Sequence, residues 1–201
     1  MSAGAVVGAD GVGRCPWGAG DDLLARYHDT EWGRELRGRD ALYERISLEA
    51  FQSGLSWLVV LRKRPAFRAA FAGFDPEVVA GFGDDDVARL LADAGIVRNR
   101  AKIEATIANA RAVLGLAARD EDLDTLLWSF APPQREQPPA EVTDVPAITP
   151  ASTAMARALR ARGFRFVGPT TCYALMQATG RVDDHFAGCF RAVGAPDPTG
   201  V

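Results

Sequence analysis

Gly163-Phe164-Arg165-Phe166-Val167-Gly168-Pro169-Thr170-Thr171 reads as the joint between two helices. Gly163 suits the end of the first, since glycine tolerates the left-handed backbone that terminates a helix. Pro169 suits the first position of the second, where its missing N–H removes no hydrogen bond. Gly168 lets the backbone approach a partner closely. The helix start beyond it presents free N–H groups at the positive end of the helix dipole, which bind anions such as a phosphate without reading sequence. A plain helix–helix turn, with glycines serving geometry alone, is an equal reading of this stretch by itself.

Outward from the joint, apolar residues recur at helical spacing, and no period-two alternation bounded by turn signals is sustained. The chain is expected to be all-α. The spacing predicts helices over about 22–28, 40–54, 65–72, 84–93, 98–116 and 122–130, with three more later in the chain. Asp40, Asp75 ahead of Pro76, and Asp84 have N-cap chemistry, while Gly73 and Gly95 suit helix ends. Six prolines in residues 131–150 forbid continuous helix and predict an ordered surface loop within one helical body. A single domain is expected over 14–191, between a disordered tail at 1–13 and a flexible one at 192–201. No apolar run approaches the roughly 20 residues that span a bilayer, and residues 1–13 lack the charged and apolar regions of a signal peptide. Three cysteines in 201 residues argue for a reducing compartment, so the expectation is a cytoplasmic monomer without membrane contact.

The net charge of -3 alone does not suggest a nucleic-acid partner, but its distribution does. Between Val145 and Val182 there is no acid, whereas Arg157, Arg160, Arg162, Arg165 and Arg181 bring five positive charges around the joint. Counterion release would add to any phosphate contact there. A shorter run, Arg62, Lys63, Arg64 and Arg68, reads as a solvated helix face.

Cys15 and His28 open the folded part of the chain, and His185 and Cys189 close it, using both histidines and two of the three cysteines. Two thiolates and two imidazoles form a tetrahedral zinc set. His185 and Cys189, spaced i and i+4, would share one helix face. About 157 residues separate His28 from His185, so this is no zinc finger. On spacing alone, two buried cysteines and two surface histidines remain the alternative.

About fourteen residues after the joint comes Val182-Asp183-Asp184-His185. A hairpin followed by Val-Asp-x-His resembles the helix-hairpin-helix superfamily of DNA repair glycosylases, whose catalytic carboxylate corresponds to Asp183. The chain is more closely similar to the DNA-3-methyladenine glycosylase I family, through Arg14-Cys15-Pro16-Trp17, Tyr27-His28-Asp29-Thr30-Glu31-Trp32-Gly33, Leu48-Glu49-Ala50-Phe51-Gln52-Ser53-Gly54-Leu55-Ser56-Trp57, and 163–177. The resemblance covers roughly residues 14–190. It implies a helix-hairpin-helix fold, a structural zinc on Cys15, His28, His185 and Cys189, and double-stranded DNA containing 3-methyladenine as partner. The implied reaction is monofunctional: the N-glycosidic bond is hydrolysed, freeing the base and leaving an abasic site. Gly163, Arg165, Phe166, Gly168 and Thr170 would meet the DNA.

The resemblance also implies that Tyr27, Glu49 and Trp57 line the base pocket, with Trp17 completing it. A stacked base must be extruded and stacked again on aromatic rings. Methylation at N3 makes the purine cationic, so Trp57 adds a cation–π interaction and a carboxylate stabilises the charge. Glu49 would accept from the exocyclic amino group. Its helical-wheel position alone makes Glu49 a surface partner of Arg45 at i-4. Trp32 and Trp128 read as core. The lesion departs neutral and needs no general acid, so Asp183 either stabilises oxocarbenium character at C1′ or caps the turn ahead of His185. Pro16 and Ala50-Phe51 depart from the family's pattern, which puts the pocket's shape in question. The only lysines, Lys63 and Lys102, lie away from the joint, so lyase chemistry is not expected. Two rival functions are a non-catalytic, zinc-stabilised DNA-binding module and a zinc hydrolase with an open coordination position.

Overall fold

Short polar side chains set the helix starts. In a computed structural model that describes residues 4–195, Asp21 accepts from the N–H groups of Leu23 and Leu24 and starts α1 (Asp22–Thr30). α2 spans Arg39–Gln52 and α3 Trp57–Ala70. Asp75, with Pro76 after it, starts α4 (Pro76–Ala80) as expected. Asp40 and Asp84 instead sit inside the first turns of α2 and α5 (Asp84–Ala92), where carboxylates favour the positive end of the dipole. Asn99 caps α6 (Arg100–Ala117), Asp122 caps α7 (Leu123–Trp128), and Thr149 with Ser152 forms a capping box for α8 (Pro150–Ala161). α9 (Pro169–Ala178) has Gly168 at its cap, with no side-chain acceptor. The described residues are thus mostly helical, and none of these helices is long and apolar enough to cross a membrane.

α2 is the central rod. Every residue from Leu42 to Phe51 except Glu44 is buried, because α3, α6, α7 and α9 all pack around it. The burial takes in polar side chains as well, Arg45, Ser47 and Glu49 among them. The buried rings of Phe51, Phe67, Phe71 and Phe74 run alongside, with Phe51 and Phe67 centroids 4.5 Å apart. Each such side chain stabilises the fold by about 1.5–3 kcal/mol. At the far end of α2, the Lys102 ammonium donates to the carbonyls of Phe51 (2.8 Å) and Ser53 (2.5 Å). That contact fixes the α2–α3 turn and so aims Trp57. α8 lies on α9, and the segment 162–168 joins them.

Four expectations need correction. Pro65 lies inside α3, which begins eight residues earlier, since burial of Val60, Leu61 and Phe67 carries the helix through the missing hydrogen bond. Among the described residues only two α-helices, α8 and α9, follow α7, where three were expected. His185 and Cys189 lie on a turn, not a helix face: the backbone N–H groups there bond to the Asp183 carboxylate, the Cys15 sulfur and the Pro139 carbonyl, and Gly188 has φ +84°. Finally, Val6–Val7 (β1) pairs antiparallel with Gly13–Arg14 (β2) in part of the stretch expected to be a disordered tail. The ribbon docks through Ala5 N–H to Ala187 O and Phe190 N–H to Gly13 O, contacts that composition could not foretell. Of the two expected tails, residues 1–3 and 196–201 lie outside the described residues.

Candidate active site and metal centre

One wall of a cavity of about 710 Å3 is built by α1, α2 and the start of α3. Tyr27 on α1, Glu49 on α2 and Trp57 at the head of α3 all line it, as does Trp17 from the short turn Pro16–Gly18. Tyr27 and Trp57 lie 5.3 Å apart between centroids, and Trp17 stands 6.1 Å from Tyr27. The four pocket residues expected from the sequence are therefore brought together. Trp32, read as core, also lines the cavity, set edge-on 5.0 Å from Trp17. Trp128 does not: the guanidinium carbons of Arg37 and Arg181 lie 3.9 and 4.4 Å from its ring centroid.

Glu49 is 5% exposed, and among the described residues no donor hydrogen-bonds its carboxylate. The surface ion pair suggested by the wheel is absent, because Arg45 points its guanidinium at the Tyr27 hydroxyl (2.5 Å) instead. Burial pushes the Glu49 carboxyl up to about 7, opposed by the positive charge of Arg45. Burial likewise holds the Tyr27 phenol well above its ordinary range.

The opposite side carries residues that the sequence reading missed. Gln177 and Asp184 reach the cavity, and Val142 and Val145 of the Pro-rich loop close its edge. Asp184 is buried and accepts from the Tyr173 hydroxyl (2.6 Å) and the Gln177 amide (2.8 Å). The Nε of Arg135 lies 2.8 Å from its other oxygen as an ion pair, without hydrogen-bond alignment. A helical register of Tyr173 and Gln177, four apart, was the only local signal. Asp183 is outside the cavity lining, and its Oδ1 accepts from the His185 N–H at 3.0 Å.

The four cysteine and histidine ligands converge behind Trp17. All are buried, and their donor atoms lie within 4.8 Å of one another. Cys15 Sγ is 3.6 Å from His185 Nδ1, and Cys189 Sγ is 3.4 Å from His28 Nε2 and 3.6 Å from His185 Nδ1. Tetrahedral zinc, with bonds near 2.3 Å to sulfur and 2.0 Å to nitrogen, places such ligands about 3.6 Å apart. The donor set and spacing therefore fit a metal ion. Asp29 accepts from His28 Nδ1 at 2.8 Å, leaving Nε2 for a cation, and Arg14 grips Asp29 with two nitrogens. Hydrogen bonding to Cys15 first, then to His185 and His28, drives the Cys189 thiol down, while Cys189 holds the Cys15 proton. Gly33, at φ +73°, is required beside His185, since a Cβ there would come within 2.7 Å of Nε2.

At the joint, Gly163 takes φ +92° and ends α8, and the Asn109 side chain brackets Arg165 through both its N–H (2.7 Å) and its C=O (3.1 Å). Gly163, Arg165, Phe166 and Thr170 are exposed, with Gly168 partly so. Of the five arginines, Arg157, Arg160 and Arg165 face solvent, Arg162 pairs with Glu121, and Arg181 is buried. The shorter basic run is occupied with structure: Arg62 pairs with Asp21, Arg64 with Glu31 and Arg68 with Glu44, and Lys63 donates to the Ala94 carbonyl.

A mostly helical body, a glycine-bounded joint and an aromatic cavity around a buried carboxylate are features of a DNA glycosylase, and similarity to known proteins shows that class. The chain belongs to the methyladenine glycosylase family, whose pattern matches residues 17–192. It is similar to DNA-3-methyladenine glycosylase 1 of Escherichia coli (strain K12), at 47% identity over 177 residues, 88% of this chain and 95% of that protein. A crystal structure of 3-methyladenine DNA glycosylase I superposes with a TM-score of 0.85 at 46% identity, covering 89% of this chain and 99% of the other. A variant of 3-methyladenine DNA glycosylase I in complex with 3-methyladenine superposes with a TM-score of 0.82 at 32% identity, covering 88% and 95%.

Proposed function

We propose that this chain repairs alkylated double-stranded DNA by hydrolysing the N-glycosidic bond of 3-methyladenine, releasing the free base and leaving an abasic site. The observation that supports this most is Glu49, a buried carboxylate among aromatic rings with no donor among the described residues. Such a group favours a ligand that brings both a positive charge and an N–H donor. Flipped 3-methyladenine brings both, stacking on Trp57 and Tyr27 while its amino group donates to Glu49. Neutral adenine brings the donor without the charge, so binding energy is concentrated on the lesion. As the bond breaks, its electron pair passes to the purine, which leaves neutral, and water forms the new bond to C1′ and gives up a proton to solvent. Asp183, in this reading, holds the turn that delivers His185 and does not touch the reacting carbon.

Cys15, His28, His185 and Cys189 would hold a structural zinc ion. When bound, such an ion supplies a cross-link, and four protein ligands leave it no open position for water. DNA phosphates would meet the N–H groups at the start of α9 together with Arg157, Arg160 and Arg165, and Phe166 would stand at the same surface.

The test is the release of free 3-methyladenine from methylated duplex DNA. The native chain is expected to release it, and Glu49→Gln to release it about 10- to 100-fold more slowly with DNA binding retained, the worth of a hydrogen bond to a charged group. DNA binding by a folded native chain without base release would overturn the reading and identify a non-catalytic module.

A further inference from the structure

We infer that Arg45 is a positioning residue that favours the anionic form of Glu49, and so sets how sharply the pocket separates a cationic base from a neutral one. Arg45 lies one turn before Glu49 on α2 and is 7% exposed. It is not on the cavity lining: its guanidinium carbon stands 5.3 Å from the Tyr27 ring and 5.6 Å from the Trp57 ring, the two rings that form the wall. Nη1 donates to the Tyr27 hydroxyl oxygen, which leaves the hydroxyl proton free to point elsewhere. Nη2 lies 3.6 Å from Glu31 Oε2, and Arg64 grips Glu31 at 2.6 and 2.8 Å. A chain of alternating charge, Arg64–Glu31–Arg45, therefore runs in behind the pocket wall.

The charged and titratable groups that face Glu49 among the described residues come from four directions. Arg45 shares its helix, Tyr27 and Glu31 face it from α1 and the turn beyond, Arg64 comes from α3, and Asp184 with Arg135 sits across the cavity. Glu31 is shared by Arg64 and Arg45, which leaves those three one net positive charge, and Arg135 offsets Asp184. What remains is one buried carboxylate and one cation a helical turn away. Burial alone favours a proton on Glu49, and Arg45 opposes it. The difference matters for selectivity. A protonated Glu49 offers a neutral O–H and C=O, which an undamaged purine can satisfy, whereas a bare carboxylate gains more from a donor that also carries a positive charge.

The consequence for base release rests on the glycosylase reading, but the titration itself does not, so the experiment reads both. Native, Arg45→Met and Arg45→Lys chains carrying 13C at the glutamate side-chain carboxyls are titrated by NMR from about pH 4 to pH 10, with Glu49 assigned by its absence in Glu49→Gln. The Glu49 midpoint is expected to rise by about one pH unit in Arg45→Met and to stay near native in Arg45→Lys, which keeps the charge. Coincident midpoints in native and Arg45→Met overturn the inference. In single-turnover base release, the acid limb of Arg45→Met is expected to move up with the midpoint, giving about fivefold slower release at neutral pH that converges on native rates in alkali. A loss of equal size at every pH overturns it as well, since it marks a packing role only. A native chain that releases no base sinks the proposed function, while the midpoints still decide the role of Arg45.

Discussion

At the scale of the residue, Glu49 is held in a medium that disfavours its charge, and stability must record this. Its carboxyl is pushed from an ordinary 4.5 up to about 7 by burial. Between those values the folded chain binds a proton that the unfolded chain has already lost, so this group makes stability fall as pH rises through the window. Glutamine in its place carries no such dependence. Urea unfolding of native and Glu49→Gln chains should therefore give similar stabilities near pH 4 and an advantage to the variant at pH 8, of up to about 3 kcal/mol. A gap of the same size at both pH values would show that the charge is not confined as the structure has it. Glu49 also marks the limit of what the chain reveals by itself. Its helical wheel pairs it with Arg45 on a surface, and only the central position of α2 turns that surface inward. Trp32 and Asp184 were hidden for the same reason, since both reach the cavity through contacts far apart in sequence.

At the scale of the element, the joint between α8 and α9 was legible because its chemistry is local: Gly163 ends a helix, Pro169 begins one, and neither needs a distant partner. Asp75 with Pro76 was legible on the same ground. Pro65 and the turn at 182–189 were not, since burial of α3 overrides a proline and the turn spends its N–H groups on a sulfur and a loop. The arginines around the joint show the same divide. Counting charges gave five, but folding leaves three in solvent, which bears directly on salt dependence. Substituting Arg160 or Arg165 with Ala should each lower the slope of log Kobs against log salt for duplex DNA by about 1. Arg162→Ala, already paired with Glu121, should change it less. Equal effects of all three would mean that the Arg162–Glu121 pair opens on DNA.

At the scale of the molecule, Cys15 and His185 stand 170 residues apart in the chain and 3.6 Å apart in space. The ligand turn at 185–189 and the N-terminal segment 15–28 belong to a small second cluster, Cys15, Phe186, Cys189 and Ala192, against which Trp17 and Trp32 pack. Both tryptophans also line the cavity, so whatever closes this cluster fixes one pocket wall. A shared metal would do so by cross-linking the ends of the fold, much as a long-loop disulfide does, and such links stabilise by about 2–5 kcal/mol. Cys189→Ala should accordingly lose bound zinc by elemental analysis and unfold roughly 10 °C lower than native. Base release should decline in step with the folded fraction, and chelator added during native unfolding should reproduce the shift. A variant that keeps its thermal midpoint yet loses base release would place the metal in the reaction itself, because a clasp acts on activity only through the wall it holds.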